Sequence, residues 1–82
     1  MNVFVVTKTT DYLALVECYS DRQDAETRIF ELACEECRID PNDMDAFEQL
    51  QNECAHGIIT ATRIDLGAMN SPVYEVTECK IN

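Results

Sequence analysis

The chain has 82 residues, with 16 Asp and Glu against 6 Lys and Arg, a formal net charge of −10 and an isoelectric point near 4.2. This length predicts a single domain, 1–82, and the hydrophobic fraction of 46% predicts a folded chain rather than a disordered one. The negative charge argues against nucleic acids and anionic membranes as direct partners, because both would be repelled.

The first predicted element is a β-hairpin. Val3–Thr9 is nearly continuous in β-branched and aromatic residues, and Tyr12–Tyr19 is again rich in strand-forming residues. The segment Met1–Val6 contains no basic residues and only a short apolar run, so it does not predict a signal peptide. No apolar run approaches the ~20 residues of a membrane helix, so we expect a cytoplasmic protein.

Two helices are predicted between Ser20 and Gly57. Ser20 and Gln23 match a capping box at the start of the first helix, and Asp40-Pro41 ends it and begins the second. Gly57 is expected to end the second helix. The residues expected on the buried faces recur at helical spacing: Ala25, Ile29, Leu32, Ala33 and Cys37 on the first helix, and Met44, Phe47, Leu50 and Cys54 on the second.

The remaining chain predicts two further strands, Ile58–Leu66 and Val73–Ile81, with a loop at Gly67–Pro72. The charged residues on the last strand are typical of an edge strand. The sequence therefore predicts an α+β fold, ββααββ, with a four-stranded antiparallel sheet. The expected strand order is 2-1-3-4, with both helices packed on one face of the sheet.

The five cysteines have irregular spacing and do not suggest a secreted disulfide framework. Cys34 and Cys37 flank two glutamates near a helix C-terminus, which disfavours the thiolate that redox catalysis needs. Together with Cys54 and His56 they form a formal zinc-ligand set, but Cys54 and His56 would lie about 200° apart on a helix. We therefore expect the thiols to pack in the core, with no metal or other cofactor.

Most of the negative charge belongs to the two predicted helices. Between Asp21 and Glu53 there are eleven Asp and Glu and three Arg, a net charge of −8 within the total of −10. Arg28 and Arg38 are expected to balance part of it by pairing with acids of the first helix. Carboxylates one helical turn apart lie about 6 Å apart along the axis, on the scale of backbone phosphates. The predicted partner-binding residues are Asp24, Glu31, Glu35, Asp45, Glu48 and Glu53.

Three segments resemble a pattern found in small bacteriophage and prophage proteins. These are Val3-Phe4-Val5-Val6-Thr7, then Ala14–Ser20, then Asp21–Glu26, where four residues separate Tyr-Ser from Ala-Glu. A later strand like Thr62–Leu66 completes the sheet in that pattern, and the resemblance covers about half the chain. It implies a fold and transfers no site. The class includes inhibitors of host defence, such as anti-CRISPR proteins and DNA mimics.

From the charge and the resemblance, we expect a non-enzymatic inhibitor of phage or mobile-element type. Its partner would be a basic protein surface on a host CRISPR or restriction complex, which it would block against nucleic acid. Three alternatives remain open. One is a homodimeric structural or regulatory module joined through an edge strand or a helix face. The second is a zinc-stabilised adaptor, and the third is an acidic face that only keeps the protein soluble.

Overall fold

The computed structural model describes residues 1–54, 56–67 and 71–81. Residues 68–70 of the predicted loop, and Ala55 of the second predicted helix, lie outside the described residues. The elements in chain order are β1 (Asn2–Thr9), β2 (Leu13–Tyr19), α1 (Arg22–Glu36), α2 (Ala46–Glu53), β3 (Ile58–Ile59), β4 (Arg63–Asp65) and β5 (Val73–Lys80). All strand pairs are antiparallel, in the order β2-β1-β5-β4-β3. The predicted α+β class is confirmed. The prediction of four strands in the order 2-1-3-4 is wrong.

The first error concerns Ile58–Leu66, which forms a short hairpin instead of one strand. The turn is closed by Thr60, whose backbone N–H donates to the Arg63 carbonyl at 2.8 Å. The Thr60 hydroxyl also accepts from the Arg63 N–H at 3.0 Å and donates to the Arg63 carbonyl at 3.1 Å. A threonine that favours strands by its shape here makes a turn by its hydroxyl group.

The second error concerns the C-terminal strand, which lies inside the sheet and not at its edge. β5 pairs with β1 over its whole length, from Asn2↔Lys80 to Thr9↔Val73, and with β4 on its other side. Two of its carboxylates are compatible with this position because each meets an arginine. Glu75 lies 3.6 Å from Arg63, and Glu78 lies 3.3 Å from Arg22.

The ends of α1 are fixed by local hydrogen bonds that differ from the expected ones. Asp21, not Ser20, caps the N-terminus, since its carboxylate accepts the Gln23 N–H at 2.8 Å. At the C-terminus Arg38 adopts a left-handed backbone with φ of 60°. The Arg38 N–H donates to the Glu35 carbonyl at 3.1 Å, and the Ile39 N–H to the Cys34 carbonyl at 2.7 Å. This is the Schellman pattern, and it ends the helix before Arg38.

The helix α2 is shorter than predicted, because two aspartates hold the chain before it in turns. The Asp40 carboxylate accepts the Asn42 N–H at 2.9 Å, and the Asp43 carboxylate accepts the Asp45 N–H at 3.0 Å. Such Asx turns compete with helical hydrogen bonds. The helix therefore begins at Ala46, not at Pro41. No helix among the described residues is long and apolar enough to cross a membrane.

The core lies between the helices and one face of the sheet. Buried strand residues Val6, Ile64 and Tyr74 meet buried helix residues such as Ile29 and Leu50. The strand register places a different set of side chains on the opposite face, because side chains alternate along a strand. We call this set the open face: Val3, Val5, Thr7, Thr9, Leu13, Leu15, Cys18, Ile58, Arg63, Asp65, Val73, Glu75, Thr77 and Cys79.

Both glycines of the chain lie where two backbone segments approach closely. A Cβ at Gly57 would lie 2.0 Å from the Asp65 carbonyl oxygen, and one at Gly67 would lie 2.6 Å from the Gly57 nitrogen. Gly67 also has a positive φ of 76°. Gly57, predicted as a helix cap, therefore serves mainly to let the chain before β3 pass the end of β4.

Candidate protein-interaction surface

The three acids predicted on the first helix share one side of α1. At 100° per residue, Asp24, Glu31 and Glu35 fall within about 40° of one another around the helix axis. Asp24 and Glu35 are exposed and Glu31 is half-buried, while the buried Ala25 and Ile29 lie on the other side. The side chains of these acids thus form one stripe, directed away from the core.

The three acids predicted on the second helix divide into two groups. Asp45 at the N-cap and Glu48 in the first turn of α2 are exposed, where the helix dipole favours negative charge. Glu53 lies about 140° from Glu48 around the axis. It lines a separate polar cleft of about 350 Å³ with Glu36, Cys37, Arg38, Leu66 and Ser71. Glu53 is therefore not part of the surface formed by Asp45 and Glu48.

The arginines do not neutralise the helix acids as expected. Among the described residues there are three ion pairs, and every one uses a strand carboxylate: Arg28–Glu17 at 2.9 Å, Arg22–Glu78 at 3.3 Å and Arg63–Glu75 at 3.6 Å. Arg28 was predicted to pair along its own helix, but it reaches across to β2 instead. Arg38 makes none of these pairs. The predicted helix acids consequently keep their negative charge without an ion-pair partner in the described part of the chain.

The pair between Arg28 and Glu17 belongs to a small network at the edge of the sheet. The Tyr19 hydroxyl donates to Glu17, and Arg28 Nε donates to the other carboxylate oxygen at 2.9 Å. The Tyr19 hydrogen bond, followed by that of Arg28, lowers the pKa of Glu17. The same bond to Glu17 raises the pKa of Tyr19. The network keeps Glu17 ionised and holds Arg28 on the sheet side of α1.

An apolar groove that the sequence did not predict lies beside the helices. Its volume is about 470 Å³, and it is lined by Gln23, Glu26, Thr27, Phe30, Phe47, Ile59, Thr60, Ala61 and Ile64. The rings of Phe30 and Phe47 stack with centroids 6.4 Å apart. Phe47 was expected in the core but is 52% exposed. Helical spacing predicted that α2 would bury Phe47. The helix instead buries Ala46 and Leu50, which lie on either side of Phe47 in sequence.

Of the other two residues of the expected apolar stripe of α2, one is exposed and one is buried. Met44 is fully exposed at 100%, because it lies in the turns before the helix. Cys54 is buried, as predicted.

Three of the four formal zinc ligands are close enough for their charges to interact. Burial, followed by the neighbouring Cys37 and Cys54, raises the pKa of Cys34 to about 11. Burial also raises the pKa of Cys37 and of Cys54, with a further contribution from the charge of Glu53. His56 is exposed. Among the described residues, no group of three or more His, Cys, Asp or Glu side chains is arranged to hold a metal ion.

The raised thiol pKa values also bear on the Cys34–Cys37 motif. A redox-active cysteine needs a pKa below its ordinary value, so that thiolate is present at neutral pH. The two thiols instead have raised values because they are removed from water and lie near acids. This arrangement suits small core side chains better than reactive ones.

No family model matches the chain, and neither curated proteins nor solved structures show significant similarity to it.

Proposed function

We propose that this protein acts by binding, without catalysis, to a basic protein surface that otherwise holds nucleic acid. The observation that carries the proposal is the segregation of charge. The three ion pairs of the described residues take up carboxylates of the strands. The acids of α1 and α2 are left to face solvent, and their charge is available to a cationic partner.

The spacing of the helix acids supports a partner that normally binds phosphates. Glu31 and Glu35 are separated by about 6 Å along the axis of α1, and Asp24 and Glu31 by about 10 Å. Asp45 and Glu48 add a second acidic group at the start of α2. Lysine and arginine side chains that contact a nucleic acid backbone would meet carboxylates at similar intervals here.

The apolar groove offers such a partner a second type of contact. Interfaces usually derive much of their affinity from a few buried anchors, while surrounding charges steer the encounter. The exposed ring of Phe47 and the stacked ring of Phe30 could receive an apolar side chain or the stem of an arginine. The carboxylate of Glu26, which lines the groove, favours an arginine over an apolar side chain because it can pair with the guanidinium group.

The narrower form of the proposal is inhibition of a host defence complex in the cytoplasm. It rests on the resemblance of the hairpin and the start of α1 to small phage proteins, a class that includes anti-CRISPR proteins and DNA mimics. A nucleic-acid-guided complex carries the long basic channel that an acidic helix pair would fit.

The proposal is tested by capture from bacterial lysate at two salt concentrations, about 50 mM and about 300 mM, which screen exposed charges differently. We expect a basic partner that is retained at low salt and largely lost at high salt. The variant Glu31→Gln/Glu35→Gln should weaken capture at least about tenfold. The matched control Glu36→Gln/Glu53→Gln removes the same charge from the separate cleft and should bind as the wild type does.

A captured partner must then be shown to lose nucleic acid. In a gel mobility-shift assay, adding this protein should release DNA or RNA from the partner, and the Glu31→Gln/Glu35→Gln variant should release less. Capture that does not change with salt, or a partner that keeps its nucleic acid, would contradict the proposal.

A further inference from the structure

The open face of the sheet differs from the rest of this acidic molecule. Its side chains include three charges, on Arg63, Asp65 and Glu75, and the first and last of these pair with each other at 3.6 Å. Elsewhere the face consists of Val, Leu, Ile, Thr and Cys. A sheet face that remains in water normally carries polar residues at these alternate positions.

The apolar part of the open face is well exposed. Leu13 is 68% exposed and Leu15 is 65% exposed on β2, and Ile58 at the other edge is 52% exposed. Val5 and Val73, both half-buried, lie between them on β1 and β5. The three long strands alone, at about 3.3 Å per residue and 4.8 Å between strands, span roughly 26 × 14 Å. A patch of this size compares with the largest apolar patch of a typical monomer, about 300–600 Å², which is often functional.

The total surface is also larger than a compact monomer of this mass requires. The chain exposes 5628 Å², whereas a monomer of 9.3 kDa typically exposes about 5,000 Å². The molecule is a slab with extents of 41 × 30 × 16 Å. The excess of roughly 600 Å² fits this flat shape, in which the helices cover only one face of the sheet.

We propose that the open face packs against the same face of a second copy of this chain, forming a face-to-face sheet sandwich. A second copy is the occupant that fits the chemistry, because the face is apolar and nearly neutral, unlike the basic surface proposed for the helix acids. Two sheets packed in this way lie about 10 Å apart and bury both apolar faces.

The charge distribution favours this arrangement over contact through a helix face. Each copy carries a net charge of −10, mostly between Asp21 and Glu53. With the open faces together, the two helix layers lie on opposite outer sides, roughly 30 Å apart if stacked layers are about 10 Å apart. That separation exceeds the ~8 Å Debye length at physiological salt, so the repulsion is largely screened. Helix-to-helix contact would place the acids directly against each other.

The dimer is independent of the proposed function and responds oppositely to salt. Added salt screens the residual repulsion between copies, so the dimer should hold or tighten. Binding of a basic partner should weaken under the same change. The variant Glu31→Gln/Glu35→Gln, which tests the partner, should leave the dimer intact. Failure of one proposal is therefore distinguishable from failure of the other.

The first test is sedimentation velocity over about a hundredfold range of protein concentration. We expect the wild type to reach twice the chain mass of 9.3 kDa. The variant Leu13→Thr/Leu15→Thr keeps strand-forming side chains and the net charge, and should raise the dimer dissociation constant more than about tenfold. Met44→Thr, at a fully exposed site beyond the sheet, is the matched control and should leave it unchanged.

A monomer throughout the concentration range would overturn the proposal. A dimer that survives Leu13→Thr/Leu15→Thr would place the interface elsewhere and overturn it as well.

A second measurement uses the wild-type chain and needs no substitution. Cys18 and Cys79 are exposed, and the register places both on the open face. Their alkylation should slow as protein concentration rises through the dimer transition, because the second copy covers them. If the alkylation rates of both thiols stay constant while the protein concentration rises through the dimer transition, face-to-face packing is contradicted.

Discussion

Arg38 carries a conformation that its side chain disfavours. Its φ of 60° lies in the left-handed region, where a Cβ costs about 1–2 kcal/mol. The position is C′ of a Schellman motif, and the following residue, Ile39, is buried, which fixes the direction of the chain after α1. Glycine is the usual residue at C′ because it has no Cβ.

We expect Arg38→Gly to stabilise the protein. Removing the Cβ relieves the left-handed conformation, while the greater freedom of glycine in the unfolded chain offsets part of the gain. The net increase should be about 0.5–1 kcal/mol, or roughly 2–8 °C in Tm. Thermal unfolding followed by circular dichroism measures it. Arg38→Ala is the control, since it removes the charge but keeps the Cβ; equal stabilisation by both variants would contradict the conformational explanation.

At the scale of single elements, the sequence predicted the hairpin and α1 well and the later chain poorly. β1, β2 and the body of α1 follow from residue type and periodicity, and the structure places them within a few residues of expectation. The segment Ile58–Leu66 looked like one strand because Thr60 and Thr62 are β-branched. Its turn depends on hydrogen bonds between the Thr60 hydroxyl and the backbone of Arg63. The residue types alone do not predict these bonds.

The place of β5 was missed for a different reason. Charges on a strand suggest an edge only if they have no partner, and the partners of Glu75 and Glu78 come from β4 and α1. These contacts are distant in sequence, so no local pattern could show them. The sheet order followed from the long register between β1 and β5, which joins the two ends of the chain.

The pairing of β5 with β1 predicts a pattern of hydrogen exchange. The Val76 N–H bonds to the Thr62 carbonyl at 2.8 Å, so alternation turns the amides of Glu75, Thr77 and Cys79 towards β1. We expect these three amides to exchange as slowly as the core of β1, because they open only with the sheet.

The Glu78 amide supplies the internal reference for this measurement. It points away from β1, past the end of the pairing with β4, and should exchange fast. Amide exchange followed by NMR distinguishes the two sets. Rapid exchange at Glu75 and Thr77 would contradict the pairing of β5 with β1.

At the scale of the whole molecule, the ion pairs separate the charge into two regions. The sheet carboxylates Glu17, Glu75 and Glu78 each have an arginine, and the acids along α1 and α2 remain unpaired within the described residues. The sequence predicted which acids lie on the outer side of α1, because helical periodicity decides it. The angle of about 140° between Glu48 and Glu53 also follows from helical periodicity. The exposure of Phe47 does not, because it depends on where α2 begins and on how α2 packs against α1.

The cluster of buried thiols predicts how stability depends on pH. The folded pKa of Cys34 is about 11 because burial penalises its thiolate, and burial likewise raises the values of Cys37 and Cys54. Unfolded thiols ionise near 8.5. The contribution of the buried, neutral thiols to the free energy of unfolding is therefore complete below about pH 8.5. It is lost as the pH rises towards their pKa in the folded protein, because over this interval only the unfolded chain releases the thiol protons.

We expect the urea midpoint of unfolding to fall steadily between about pH 9 and pH 11. Each such thiol should lower the free energy of unfolding by up to about 1.4 kcal/mol per pH unit. Cys34→Ala should be less stable at neutral pH, because it leaves a small cavity, yet lose less stability over this interval. Met44→Ala, at a fully exposed site outside the open face, is the control and should keep the wild-type loss. If Cys34→Ala loses as much stability as the wild type over this interval, Cys34 is not buried as a neutral thiol.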